Sequence, residues 1–101
     1  MPIRFKVTID NYKLRHTPRF DDTSYQPWDY DTSKPGGNVI AHLAKYTQGY
    51  ATGYKTDKSG RQWWYVEIDE RSILNNFKLY GHEEFPTKII GWVSSTFLEK
   101  Q

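Results

Sequence analysis

The residues best equipped for recognition chemistry in this chain are aromatic. In the run 62–68, Trp64, Val66 and Ile68 alternate with Trp63, Tyr65 and Glu67. Read as a strand, the run sends these two sets to opposite faces. Val66 and Ile68 mark the core face, which turns Trp63 and Tyr65 away from it. A Trp beside a Tyr presents a flat apolar body with a polar rim. Such a surface suits a sugar ring or a peptide backbone at small entropic cost. The same rings would equally serve to pack beneath a long loop, and the residues alone leave both uses open.

A second group, Tyr25, Trp28 and Tyr30, lies in the stretch 19–37, where no aliphatic side chain accompanies the rings. They either pin their own loop as a small satellite cluster or form one wall of a groove. Asp21, Asp22, Asp29 and Asp31 share the stretch. Their plainer reading is a solvated loop surface, and their sharper one a seat for a cationic amino group.

Catalytic chemistry finds little support. Asp21-Asp22, Asp69-Glu70 and Glu83-Glu84 are adjacent pairs. Neighbours on a strand point to opposite faces, so such pairs rarely form an acid/base couple. There is no Cys, no Gly-x-Ser-x-Gly elbow and no phosphate-cradling Gly loop. His16, His42 and His82 are widely separated, without the spacing of a zinc site. Asp29-x-Asp31 matches part of a calcium loop but lacks its Gly and distal Glu. The expectation is a binding module with no cofactor and no enzymatic activity.

Composition narrows the partners. The chain has 101 residues, of which 17% are aromatic, and a formal net charge of +2. That length fits one domain over residues 1–101. The small charge, with no Lys/Arg run, argues against duplex nucleic acid, which calls for a marked basic patch. Single-stranded nucleic acid, which small barrels bind through exposed rings, is weakened by the same charge. No apolar run approaches the ~18 residues of a membrane span. The start of the chain, Met1-Pro2-Ile3-Arg4-Phe5-Lys6, lacks a signal-peptide apolar core.

The elements that would position the rings are short strands. Ile3, Phe5, Val7 and Ile9 alternate with polar residues, and Asp10-Asn11 ends the pattern with turn chemistry. Residues 12–18 form a short extended piece, since Pro18 biases Thr17 toward extended geometry. Residues 39–43, 50–55, 62–68 and 89–93 read as further strands, and Thr96-Phe97-Leu98 closes the chain. Those at 50–55 and 62–68 form a hairpin across Asp57-Lys58-Ser59-Gly60. Two long connections, 19–37 and 69–88, interrupt the strands, the second with a helical turn near residues 72–77. Leu14, Val39, Leu43, Ile90, Trp92, Val93 and Phe97 are the remaining expected core.

Several segments together resemble the bacterial Src-homology-3 family. Tyr12-Lys13-Leu14-Arg15-His16-Thr17-Pro18 is similar to its opening Leu-Asn-Val-Arg-Ser-Gly-Pro signature. Val39-Ile40-Ala41-His42-Leu43-Ala44-Lys45-Tyr46-Thr47 resembles its Val-Ile-Gly-x-Leu-x-Lys-Gly-Thr strand and turn. Trp63-Trp64-Tyr65-Val66, then Gly91-Trp92-Val93-Ser94-Ser95-Thr96-Phe97-Leu98, resemble its Trp-Tyr-Lys-Val and closing Gly-Trp-Val-x-x-x-Tyr-Leu. The matches keep the family's order. Lys13 departs from the usual Asn, and Thr17 and Tyr46 stand where Gly is common, so those turns either avoid positive φ or bear strain. Both long connections exceed what the family carries there.

The resemblance implies an all-β fold: a small SH3-like barrel of five to seven short antiparallel strands with two long loops. It also implies recognition of bacterial cell-wall peptidoglycan, by peptide or glycan, through an aromatic groove. Tyr12, His16, Tyr25, Trp28, Tyr30, Trp63 and Tyr65 are the expected ligand-binding residues. His16 stands where the family's small polar residue borders the groove. Such domains commonly accompany a hydrolase domain in a longer parent protein, at the cell envelope or outside the cell; a cytoplasmic place stays open. The competing reading is a protein–protein interaction or structural assembly domain, phage-type parts included. It would use the same rings or an exposed edge strand at residues 3–9.

Overall fold

The computed structural model describes residues 2–23, 38–69, 77–79 and 89–101. Among these the chain is all-β. The strands are β1 (Ile3–Val7), β2 (Tyr12–Arg15), β3 (Val39–Leu43), β4 (Gln48–Thr56), β5 (Gln62–Ile68), β6 (Phe77–Leu79), β7 (Ile89–Ser94) and β8 (Leu98–Lys100), with a 3-10 turn at Ser95–Phe97. All pair antiparallel in one sheet of order β6-β3-β2-β7-β5-β4-β1-β8.

Two expectations are corrected here. The described residues hold eight strands rather than five to seven, and no pairing joins the end strands β6 and β8, so the sheet does not close into a barrel. Strand β1 is not an edge either. It lies between β4 and β8, with Phe5 opposite both Gly49 and Lys100. The extra pairing arises because Leu98–Lys100 emerges from the 3-10 turn in extended geometry and lies along β1.

Period-two alternation explains most of the core. Phe5 and Val7 of β1, Leu14 of β2, Ala41 and Leu43 of β3, Trp64, Val66 and Ile68 of β5, and Ile89 and Val93 of β7 form one buried cluster. Fully burying a side chain such as Val, Leu or Phe contributes roughly 1.5–3 kcal/mol. Phe5 and Trp64 meet edge to face, with centroids 6.3 Å apart. The register sets Trp64 against Val93 and Val66 against Gly91, which continues the apolar face from β5 into β7.

Gly91 is required by close approach. A Cβ there would stand 2.6 Å from the Arg15 carbonyl oxygen and 3.1 Å from Leu14 Cγ, where β2 crosses onto β7. The β4–β5 hairpin forms as expected across the 57–60 turn. A register shift between Ala51 and Gly53 interrupts it, so β4 does not keep Tyr50, Thr52 and Tyr54 on one regular face.

The anticipated turn positions resolve differently from each other. Tyr46 adopts φ 74°, in the left-handed region where Gly is favoured. Thr17 is not among the positive-φ residues. Its backbone N–H and its hydroxyl both donate to Asn38 Oδ1, at 2.8 Å each, and these bonds hold the turn without a glycine.

Candidate functional site

The site is built on the face of the sheet opposite the main core. Across β5 and β7, Trp63 is paired with Ser94 and Tyr65 with Trp92. Paired residues share a face, so these four side chains lie together. Sequence alternation placed Trp63 and Tyr65 on this face, but the expectation that both are open to a ligand is corrected for Trp63. Its exposure is 0%, while Tyr65 is 38% exposed. Trp63 is covered because β2 and the start of the first long connection fold over it. The Phe20 ring packs against it at 4.9 Å between centroids, and the Arg15 guanidinium lies 6.0 Å from its ring. Its indole N–H donates to Asp57 Oδ2 at 3.0 Å. Trp63 is therefore the floor of the site and not its surface.

Phe20 takes the exposed position instead. Its ring is 61% exposed, with the guanidinium of Arg15 at 5.1 Å and that of Arg61 at 4.8 Å from its centroid. Cation–π contacts of this kind hold an aromatic ring at the surface that would otherwise be free to swing. Beside it runs a groove of about 300 Å3 lined by Ile9, Asn11, Tyr12, Lys13, Arg15, Phe20, Asp22 and Ser94. Tyr12, expected as a site residue, lies in this wall. Its hydroxyl donates to the Ser94 carbonyl, and its ring meets Phe97 edge to face at 5.9 Å. Burial pushes the Tyr12 phenol above its ordinary value. Bonds from Ser94 and the Phe97 backbone, and the charges of Arg61 and Arg15, pull the other way.

The outer wall is fixed by Asn38, which is fully buried. Besides accepting from Thr17, its amide donates to the Arg19 carbonyl at 2.8 Å, its backbone N–H donates to the Thr23 carbonyl at 2.8 Å, and its own carbonyl accepts from His16 N at 2.7 Å. One satisfied amide thus ties residues 16–23 to the start of β3. His16 is exposed on this segment. Asp21 and Asp22 are committed within the same wall. Asp21 accepts from the Thr23 N–H and hydroxyl and pairs with Arg19 at 3.2 Å, and Asp22 pairs with Arg15 at 3.0 Å. Hydrogen bonds from Thr23 hold the Asp21 carboxyl below its ordinary value.

Tyr25, Trp28 and Tyr30 lie outside the described residues, as do Asp29 and Asp31. Of the residues expected in the core, Leu14, Val39, Leu43 and Val93 are buried, while Ile90 and Phe97 are exposed and Trp92 is half-buried. Ile90 shares the face of Tyr65 and Trp92. Sequence reading missed Phe20, Arg15, Arg61, Ser94 and Thr96 as site residues. The one signal available for Phe20 was a bulky apolar residue standing alone in a polar stretch. The others meet only through contacts across the fold.

A larger groove, of about 590 Å3, shares no lining residue with the first. Ile3, Ala51, Thr52, Gly53, Tyr54, Gln62, Trp64 and Lys100 line it, and it borders the end strand β8. Of the expected site residues that are described, none of Tyr12, His16, Trp63 and Tyr65 lines it. Among the described residues, no group of His, Asp and Glu converges as metal ligands would, and no helix is long and apolar enough to cross a membrane. No protein-family model matches this chain, and no curated protein or solved structure matches it significantly.

Proposed function

We propose that this chain is a non-catalytic binding module of the bacterial SH3-like kind, and that it recognises the peptide or glycan of cell-wall peptidoglycan in the groove beside Tyr12. The observation that carries the reading is the exposed Phe20 ring. It is fixed between two guanidiniums on a buried Trp63 floor and forms one wall of the groove. A rigid ring with polar groups around it suits a ligand that offers flat apolar patches and hydrogen-bonding groups together. The resemblance of the segments 12–18, 39–47 and 91–98 to the family supports the same reading. On this reading the module acts at the cell envelope or outside the cell, with a hydrolase domain as its natural companion in a longer parent.

Co-sedimentation with purified sacculi tests the proposal. The protein is expected to pellet with sacculi, and Phe20→Ala and Lys13→Glu variants shown to stay folded at the assay temperature are expected to stay in the supernatant. A parent protein that remains soluble across several wall types sinks the reading.

A second reading has its own observation. The larger groove combines the exposed side chains of Ile3 and Tyr54 with the end strand β8, as a protein docking surface would. It favours a protein-interaction or assembly role. Concentration-dependent association that Tyr54→Lys abolishes and Phe20→Ala leaves intact would mark that role.

A further inference from the structure

Among the described residues, Arg61 is a cation without an anion. Its Nη1 donates to Ser94 Oγ at 3.2 Å and to Thr96 Oγ1 at 2.9 Å. Among the described residues its Nη2 and Nε have no acceptor, and no carboxylate lies within ion-pair distance of it. The nearest carboxylate in sequence is fully occupied elsewhere. Asp57 Oδ1 accepts from Ser59 N, Ser59 Oγ and Arg61 N, and its Oδ2 accepts from the Trp63 indole. The turn thus turns its negative charge inward and leaves the Arg61 side chain facing the Phe20 ring.

The other charges around the groove match unevenly. Arg15 is paired with Asp22 and Arg19 with Asp21. Lys13, on the groove wall, has no carboxylate within 4.0 Å among the described residues. Among the described residues, unmatched positive charge therefore lies in the groove at Lys13 and next to it at Arg61, which contacts the lining residues Phe20 and Ser94 and holds the Thr96 hydroxyl close. A guanidinium with a free edge matches a planar carboxylate through two parallel hydrogen bonds. The exposed Phe20 ring beside it offers an apolar face for whatever carbon carries that carboxylate.

We infer that Arg61, positioned by Ser94 and Thr96 beside Phe20, is a subsite for the free carboxylate of a peptide. The inference rests on the reading of this groove as the ligand site and adds the group it selects. The carboxylate lies in the plane of the Arg61 guanidinium and accepts from Nη2 and Nε. The adjoining small side chain lies on Phe20, and Lys13 adds a second positive charge along the groove. Tyr12 acts as a positioning residue, because its bond to the Ser94 carbonyl holds the corner that presents Ser94 and Thr96.

The test compares two probes, acetyl-Ala-Ala with a free carboxylate and acetyl-Ala-Ala carboxamide, by 1H–15N NMR titration of the intact chain. The expected result is that the acid binds about tenfold or more tightly than the amide, the scale of hydrogen bonds to a charged group. The acid should shift the Arg61 Nε–H and the amides of Ser94 and Thr96. Arg61→Gln should abolish the difference between the probes, and Thr96→Val, which alters an exposed side chain, should reduce it. Equal binding of both probes overturns the carboxylate subsite and leaves the groove reading in place. Binding of neither probe by a protein that still pellets with sacculi overturns the subsite alone. Binding of neither, with no pelleting, ends both.

Discussion

The Arg61 guanidinium stands 4.8 Å from the centroid of the Phe20 ring, and Phe20 in turn lies 4.9 Å from the Trp63 ring beneath it. This stack of cation, exposed ring and buried ring joins the hairpin turn, the first long connection and strand β5 into one surface. It also divides labour between the two aromatics. Trp63 supports the fold, and Phe20 meets the solvent.

That division is measurable. Trp63→Ala removes a ring at 0% exposure and leaves Asp57 without its indole donor, so a loss of about 3–5 kcal/mol is expected. Phe20→Ala removes a ring at 61% exposure, together with its contacts to Trp63, Arg15 and Arg61, and should cost about 1–2 kcal/mol. Urea unfolding of both variants checks the order. A Phe20→Ala loss as large as that of Trp63→Ala would make Phe20 a core residue and not a ligand platform.

Tyr46 holds φ 74° in the turn between β3 and β4. Left-handed backbone costs a non-glycine residue about 1–2 kcal/mol. The ring itself is exposed, with the flexible Lys6 and Lys45 ammonium groups 5.8 and 5.1 Å from its centroid. Tyr46→Gly is therefore expected to stabilise the protein by about 1 kcal/mol, a rise of roughly 4–8 °C in Tm. A thermal melt that shows a lower Tm would mean that the ring contributes more than the backbone strain removes.

Asp57 gives the acid limb of stability. Hydrogen bonds from Ser59, then Trp63, with further bonds from the backbone of Arg61 and Ser59, hold its carboxyl at about 2, below the ordinary 3.8. A depressed folded-state value means that the carboxylate's contribution is present above the unfolded value and lost as pH falls through the folded one. Stability should decline between pH of about 4 and about 2. The decline should be shallower in Asp57→Asn, which has no charge to lose at this position. Parallel pH profiles for the two proteins would remove Asp57 from the acid transition.

Much of the scaffold was legible because its signals are local. The hairpin of β4 and β5 follows from alternating residues around Asp57-Lys58-Ser59-Gly60, and β1 from the alternation of Ile3, Phe5 and Val7. The side of β5 on which Trp63 lies was also readable from period two. Its burial was not, because the covering groups, Arg15 and Phe20, come from a different part of the chain. The same holds for Arg61, which meets Ser94 and Thr96 across 33 and 35 residues of sequence. Strand β6, at Phe77–Leu79, carries too short a pattern to stand out within a long connection, and the extra pairing of β8 depends on the 3-10 turn before it. The site residues that sequence did suggest and the structure brings to the groove face are Tyr12, in the wall, and Trp63, beneath it.

The central claim is that the groove beside Tyr12 and Phe20 takes cell-wall ligand. Its most direct test is a 1H–15N NMR titration with soluble peptidoglycan fragments released by muramidase digestion. The predicted result is a saturable set of shifts centred on Tyr12, Lys13, Arg15, Phe20, Arg61 and Ser94. No shifts, or shifts confined to the surface around Ile3, Tyr54, Trp64 and Lys100, would contradict it.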